Sequence, residues 1–251
     1  PGLGKTTLAS ILAKEMNAQL KLTSGPAIEK AGDLASLLTN LQAGDILFID
    51  EIHRMRPAIE EVLYSAMEDY VLDLVIGKGP SARSMRIDLQ PFTLIGATTK
   101  AGAVSLPLRD RFIHHFKLSF YSPEELQSIV LRTAGILGVA MEKDAALSIA
   151  HASRSTPRIA NRLVRSIRDF AQVHSEASVT NHRARHTLSS LGIDEHGLDR
   201  TDRLILSTII NTFGGGPVGL GAIAASLSDE EETIEDVYEP YLMQQGYIQR
   251  T

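Results

Sequence analysis

At 251 residues, 43% of them hydrophobic and 22% charged, the chain can bury a real core and has an ordinary globular composition, and its length allows one or two domains. A formal net charge of −5 excludes binding to nucleic acid through bulk positive charge, so any hold on phosphate backbones must be a local basic patch. The lack of cysteine excludes a disulfide framework and a thiolate zinc site, and no apolar run is long enough to span a bilayer.

The chain opens on PGLGKTT, residues 1–7, the later part of a phosphate-binding loop. Gly2 and Gly4 let backbone N–H groups turn toward phosphate oxygens, and the helix that follows adds its positive end. Lys5 is placed to reach the β- and γ-phosphates, and the Thr6 hydroxyl to ligate Mg²⁺. Residues 5–16 read as that helix, with Leu8, Ile11, Leu12 and Met16 as its apolar face. A polar stretch and a helix over Leu34–Leu41 come next. A buried strand over Ile46–Ile49 then ejects Asp50 and Glu51 at its C-terminal end, where an open α/β sheet binds ligands. In that setting Asp50 would hold magnesium and Glu51 would orient or polarise a water.

A helix is predicted from about Pro57 to Asp69. Over residues 71–89, apolar Leu72, Leu74 and Ile76 and then Met85, Ile87 and Leu89 alternate on either side of turn-forming GKGPSARS, a hairpin signal. A second buried strand, FTLIGATT, covers 92–99 and offers Thr98 and Thr99, either of which could sense a γ-phosphate or simply cap the strand. LRDRF offers Arg109 and Arg111, which read as surface salt bridges or as an arginine lent to a neighbouring active site. His114 and His115, adjacent on an extended stretch, face opposite ways and make poor joint metal ligands.

From Ser122 the pattern is helical. Ser122, Pro123 and Glu125 form a capping-box start, and Thr156 and Pro157 repeat the device ahead of a helix with Ile159, Leu163, Ile167 and Phe170 on its apolar face. Arg158 in that first turn opposes the helix dipole, a hint of an anion nearby, whereas Arg162 and Arg165 read as a solvated basic flank. Gly192–Gly197 reads as a linker. Helices over Asp202–Phe213, Leu220–Leu227 and Glu230–Gln245 and a strand over Tyr247–Gln249 then fit a winged helix. Residues 151–190 carry seven arginines against two acids, whereas residues 193–251 carry three arginines against eleven acids, so the two stretches face different partners.

In this order and spacing, PGLGKTT, LFIDEIHR, GATTKAG, LPLRDRF and TPRIANR resemble the AAA+ ATPases. TSGPAIEKAGDLASLLTNL, the long hairpin and the GGGPVGL…ETIEDVYEPYL run resemble, within them, the bacterial Holliday-junction branch-migration family RuvB. The resemblance implies an α/β fold: a P-loop AAA+ parallel-sheet domain with an inserted β-hairpin over 1–119, a helical lid over 120–192 and a winged helix over 193–251. It implies ATP and Mg²⁺ as cofactors, bound by Gly2, Leu3, Gly4, Lys5, Thr6, Thr7 and Asp50, with Thr6 and Asp50 on the metal. Glu51 would be the catalytic carboxylate, Thr99 the first sensor, Arg158 the second sensor and Arg111 the finger acting in trans. It further implies a cytoplasmic homo-hexamer acting on duplex DNA at a four-way junction in recombination and repair. A RuvA-like protein would dock on hairpin 71–89, a RuvC-like resolvase would act indirectly, and no membrane is involved. The family's pattern runs beyond both ends of this sequence, and it has glycines where Ile113 and Ser155 stand here. The acidic run EEETIEDVYEPYL would be repelled by phosphates, so DNA is expected on another face or on a wing.

Overall fold

A computed structural model describes residues 2–76 and 83–250, without the side chains of 74–76 and 83–84. It forms two compact units, Leu3–Leu118 and Ser119–Thr251.

The first unit is built on a parallel sheet. Strands β1 (Leu20–Ser24), β2 (Ile46–Asp50) and β5 (Thr93–Gly96) lie in the order β1-β2-β5. β2 is central: Ile46 pairs with Leu20 on one side and Thr93 on the other, and Ile49 pairs with Thr23 and Gly96. Both of its faces are covered, which is why ILFI is an unbroken apolar run rather than an alternating one. Leu47 and Ile49 enter a core with α2 (Ala31–Thr39) and α3 (Pro57–Glu68), built around Leu34, Leu38, Ile59 and Leu63. Phe48 points the other way, against Ala9 of α1 (Lys5–Glu15) and Ala97.

That packing corrects two sequence expectations. α1 buries its small residues Ala9 and Ala13 against the sheet, while Leu8, Ile11, Leu12 and Met16 stand 41–55% exposed. Alanines permit a close helix–strand approach that the larger row would block. β1 was not expected at all, because LKLTS sits at the sheet edge and alternates too weakly to be seen without its partner. β5 is shorter than the expected 92–99, and Thr98 and Thr99 lie in the loop beyond it.

The hairpin is present. β3 (Val71–Ile76) and β4 (Arg83–Asp88) are antiparallel, with Leu72 opposite Ile87 and Leu74 in register with Met85, so Leu72 and Ile87 share one face. Leu72 is buried at its base and Met85 is exposed further out. The turn residues 77–82 lie outside the described residues. Beyond β5, the short helix α4 (Leu106–Asp110) is capped by the Ser105 hydroxyl.

In the second unit, α5 (Pro123–Ile136), α6 (Lys143–His151), α7 (Pro157–Val173) and α8 (Asn181–Ser190) enclose one core. The Ser122–Glu125 capping box is formed as the sequence predicts. Thr156 stands at the N-cap of α7, but its hydroxyl donates to the Ser153 carbonyl at 3.3 Å, so no side chain caps that helix. α7 buries Leu163, Val164 and Ile167, and leaves Arg158, Arg162 and Arg165 exposed. A third core gathers α9 (Arg200–Asn211), α10 (Leu220–Leu227), α11 (Glu231–Thr233) and α12 (Glu239–Gln244) around Ile205, Ile234 and Leu242.

The expected helix over 230–245 contains a π-turn at Ile234–Tyr238, just before Pro240, whose missing N–H and bulky ring disrupt regular i→i−4 pairing. Tyr247–Gln249 is not a strand. Ile248 packs against the core, but among the described residues no strand of this unit lies beside it to pair with. In place of a loose linker, Arg203 donates to the carbonyls of Gly192 at 2.8 Å and Leu198 at 2.9 Å. Arg154 adds a further tie: it pairs with fully buried Asp202 at 3.2 Å and lies 4.5 Å over the Tyr241 ring. Burial pushes the Asp202 carboxyl up to about 6, against the pull of the Asp199 amide and Arg154.

Ser155 has φ 54, in the left-handed region where a side chain crowds its own backbone. This gives a physical reason for a glycine at the position. Ser155→Gly should therefore stabilise the chain by about 0.5–1 kcal/mol, net of glycine's larger chain entropy when unfolded. Urea titration of the two proteins, with unchanged m-values, checks this.

Candidate active site

The site forms where β2 and β5 end. Their pairing continues past the last strand residues: the Ala97 amide donates to the Ile49 carbonyl, and the Ile52 amide to the Ala97 carbonyl, each at 2.9 Å. This rail sets the loop after β5 beside the loop after β2. Glu51 turns out of the strand with φ 47 and ψ 48, a left-handed conformation that costs a non-glycine residue about 1–2 kcal/mol. Gly25 makes room for the turn, since a Cβ there would come within 2.5 Å of the Glu51 carbonyl oxygen.

The carboxylate so ejected is gripped. Its Oε2 accepts from the Thr99 hydroxyl at 2.9 Å and the Thr99 amide at 3.2 Å. Lys5 Nζ stands 3.9 Å from Oε1, and His53 Nδ1 lies 3.3 Å from Oε2. His53 is in turn 2.9 Å from the Thr98 hydroxyl, so the two threonines divide: Thr99 holds Glu51, and Thr98 holds the histidine beside it. Burial alone would raise the Glu51 carboxyl, but the Thr99 hydroxyl and amide, with Lys5 and His53, outweigh it and keep the group below its ordinary value. It stays an anion able to accept a proton or orient a water.

Across from it, Gly4 has φ 90 and no side chain caps α1, which leaves its first-turn amides open to an anion. Asp50 uses one oxygen to accept the Glu51 amide at 3.0 Å. A phosphate cradle, a lysine, and hydroxyl and carboxylate oxygens as hard donors fit a magnesium nucleotide, with Thr6 and Asp50 the residues to hold the metal.

Not every candidate joins this cluster. Arg109 is exposed, and its carbonyl meets His115 Nε2 at 3.0 Å. His114 is exposed as well. Arg111 is held against α3, with Nε 2.9 Å from Glu68 Oε1 and its guanidinium 4.1 Å over the Tyr64 ring. Arg158 belongs to the second unit, exposed in the first turn of α7.

Three family models tile the chain: the Holliday junction DNA helicase RuvB P-loop domain over residues 1–118, the RuvB AAA lid domain over 121–194, and the RuvB C-terminal winged helix domain over 195–251. The Holliday junction branch migration complex subunit RuvB of Chlorobaculum tepidum is 59% identical over 251 residues, covering 100% of this chain and 73% of that protein. The chain belongs to the RuvB family. The RuvB subunit of Chlorobaculum parvum matches to the same extent, 59% over 100% of this chain and 73% of its own. Among solved structures, the Thermotoga maritima RuvB Holliday junction branch migration motor is 49% identical with a TM-score of 0.88, covering 100% of this chain and 79% of that one. RuvB membership makes the chain an AAA+ ATPase of the DNA helicase type.

Sequence reasoning missed His53, Tyr64 and Glu68. The His in DEIH was a legible signal beside two carboxylates. The other two, Tyr64 within α3 and Glu68 at its end, gain meaning only from what α4 lays against them.

Because the Thr99 hydroxyl is the first of the groups that oppose burial, Thr99→Val should move the Glu51 titration upward, toward its ordinary value. The sign follows from linkage: a depressed carboxyl stabilises the fold above its unfolded-state value and loses that contribution as pH falls through the folded-state value. Carbon-13 NMR titration of the Glu51 carboxyl reads the shift directly, and an unmoved midpoint would refute the assigned cause.

Proposed function

We propose that this chain is the motor of Holliday-junction branch migration: it hydrolyses ATP to draw duplex DNA from a four-way junction in homologous recombination, repair and the response to DNA damage. The observation that carries the chemistry is the Glu51 carboxylate, held ionised by Thr99 at the end of β2 within reach of Lys5. Glu51 accepts the proton of the attacking water, and Thr99 fixes where that carboxylate points. Lys5 offsets charge that develops on the γ-phosphate, with the amides of Gly2, Leu3, Gly4, Lys5, Thr6 and Thr7 lining the loop. Bound Mg²⁺ would supply further charge neutralisation, held by the Thr6 hydroxyl and Asp50.

The working assembly is a homo-hexameric cytoplasmic ring in which Arg111 of one subunit completes the site of the next, while Arg158 senses the nucleotide from the lid. The domains are 1–119, 120–192 and 193–251. A RuvA-like junction-binding protein docks on hairpin 71–89, where an apolar face extends outward from a buried base, and a RuvC-like resolvase acts after them. DNA avoids the acidic helix of the winged-helix domain. Arg250 spans its Glu235 and Glu239 at 2.7 and 2.6 Å, so this cation is already spent within the chain.

Two measurements test this in a protein of the family's full length. Glu51→Gln should lower kcat for ATP by about 10²- to 10⁴-fold while leaving Mg-ATP binding intact. Lys5→Ala and Arg111→Ala chains, each with only a residual rate alone, should regain part of the ATPase rate when mixed, because some interfaces then join an intact loop to an intact finger. Mixed rings without any recovery would refute the finger in trans.

A further inference from the structure

Arg111 is held by its own chain more tightly than an arginine meant only for another subunit needs to be. Three groups contact its guanidinium. The Tyr64 ring lies beneath it, 4.1 Å from its carbon to the centroid. Glu68 Oε1 sits 2.9 Å from Nε, an ion pair whose N–H is not aligned for a hydrogen bond. The Pro107 carbonyl accepts from Nη1 at 2.7 Å. Nη2 has no acceptor among the described residues. Tyr64 and Glu68 are one turn apart on α3 and share a face.

Tyr64 is itself fixed, since its hydroxyl donates to Glu60 Oε2 at 3.2 Å and lies 3.4 Å from Ser105 Oγ. Buried Glu60 also accepts from the Ser105 hydroxyl at 2.5 Å, and Ser105 is the N-cap of α4. One row of α3, Glu60–Tyr64–Glu68, therefore holds both the start of α4 and the arginine that follows its end.

A half-exposed ion pair alone contributes little. A stacked, ion-paired and carbonyl-bonded guanidinium is different, because its rotamer freedom is already lost before any substrate arrives. Preorganised charge of this kind acts on a transition state without reorganising at the moment of reaction. We propose that Tyr64 and Glu68 are positioning residues for Arg111: they preset the guanidinium so that Nη2 is free for the terminal phosphate in the neighbouring subunit. The inference rests on the reading of Arg111 as the finger in trans.

The test is steady-state ATPase kinetics on the family-length protein assembled on duplex DNA, with melting temperature as a folding control. Glu68→Gln and Tyr64→Leu should each lower kcat roughly tenfold, a fraction of the 10³- to 10⁵-fold effect of a whole arginine finger, with KM for ATP within about twofold. Tyr64→Phe keeps the ring and should retain kcat within about twofold, separating the stacking from the hydroxyl network. In an Arg111→Ala background, Glu68→Gln should add nothing, because a residue acting only through Arg111 has no further effect once that arginine is gone.

If Arg111→Ala itself leaves kcat unchanged, the finger reading fails. If Arg111→Ala lowers turnover about 10³- to 10⁵-fold to a measurable residual rate while Glu68→Gln is indistinguishable from the parent or faster, the finger stands and the positioning role is overturned. An equal loss from Glu68→Gln in both backgrounds also overturns it. Glu68 is half-exposed, so that variant remains informative even if Tyr64→Leu does not fold.

Discussion

The pairing of β2 with β5, carried past the ends of both strands by Ala97 and Ile52, is the constraint on which the site depends. Because Ala97 exchanges hydrogen bonds with Ile49 and Ile52, the loops after the two strands leave the sheet side by side. Glu51 and Thr99 are 48 positions apart in sequence, yet the rail leaves their side chains 2.9 Å apart. Everything chemical at that end of the sheet follows from it: the depressed carboxyl, the histidine wedged between Glu51 and Thr98, and the lysine arriving from α1. The left-handed turn at Glu51 is the strained element, and it persists because bonds on either side of it leave no alternative path.

The helices divide the remaining tasks. α1 approaches the sheet through alanines, so its N-terminal amides stand close to the ends of β2 and β5. α3 packs one face into the core through Ile59 and Leu63 and uses another to grip α4 and Arg111. The same helix leads within three residues into the hairpin that would meet a partner protein. In the second unit, polar ties replace a flexible linker: exposed Arg203 spans the carbonyls of Gly192 and Leu198, and Arg154 bridges buried Asp202 and Tyr241. A buried ion pair is weak evidence for stability, but its geometry restricts how the segments it joins can be arranged.

Much of this was legible in the chain's own letters, for local reasons. A glycine-rich turn before a helix, an apolar strand ending in two acids, a hairpin with matched alternation and a serine capping box are written within a few residues each. Where reading failed, the deciding partner lay elsewhere. β1 exists because β2 offers it an edge. The apolar row of α1 is periodic but outward, since periodicity identifies a face without saying what it faces. The final three residues expected as a strand had the composition for one and no neighbour to pair with. Thr98 and Thr99 were equivalent on paper and are separated only by which of them the rail brings to Glu51.

The sequence by itself thus determined the class of chemistry, because phosphate cradles and strand-end carboxylates depend on residue type and short spacing. At Ser155 the family pattern called for glycine, and only the backbone, with φ 54, supplied the reason. Only the tertiary structure decided which groups act together. Long-range strand pairing set Thr99 on Glu51, and helix packing set Tyr64 and Glu68 on Arg111. Contacts between residues tens of positions apart depend on how the whole chain buries its apolar surface, and no short stretch of sequence encodes that.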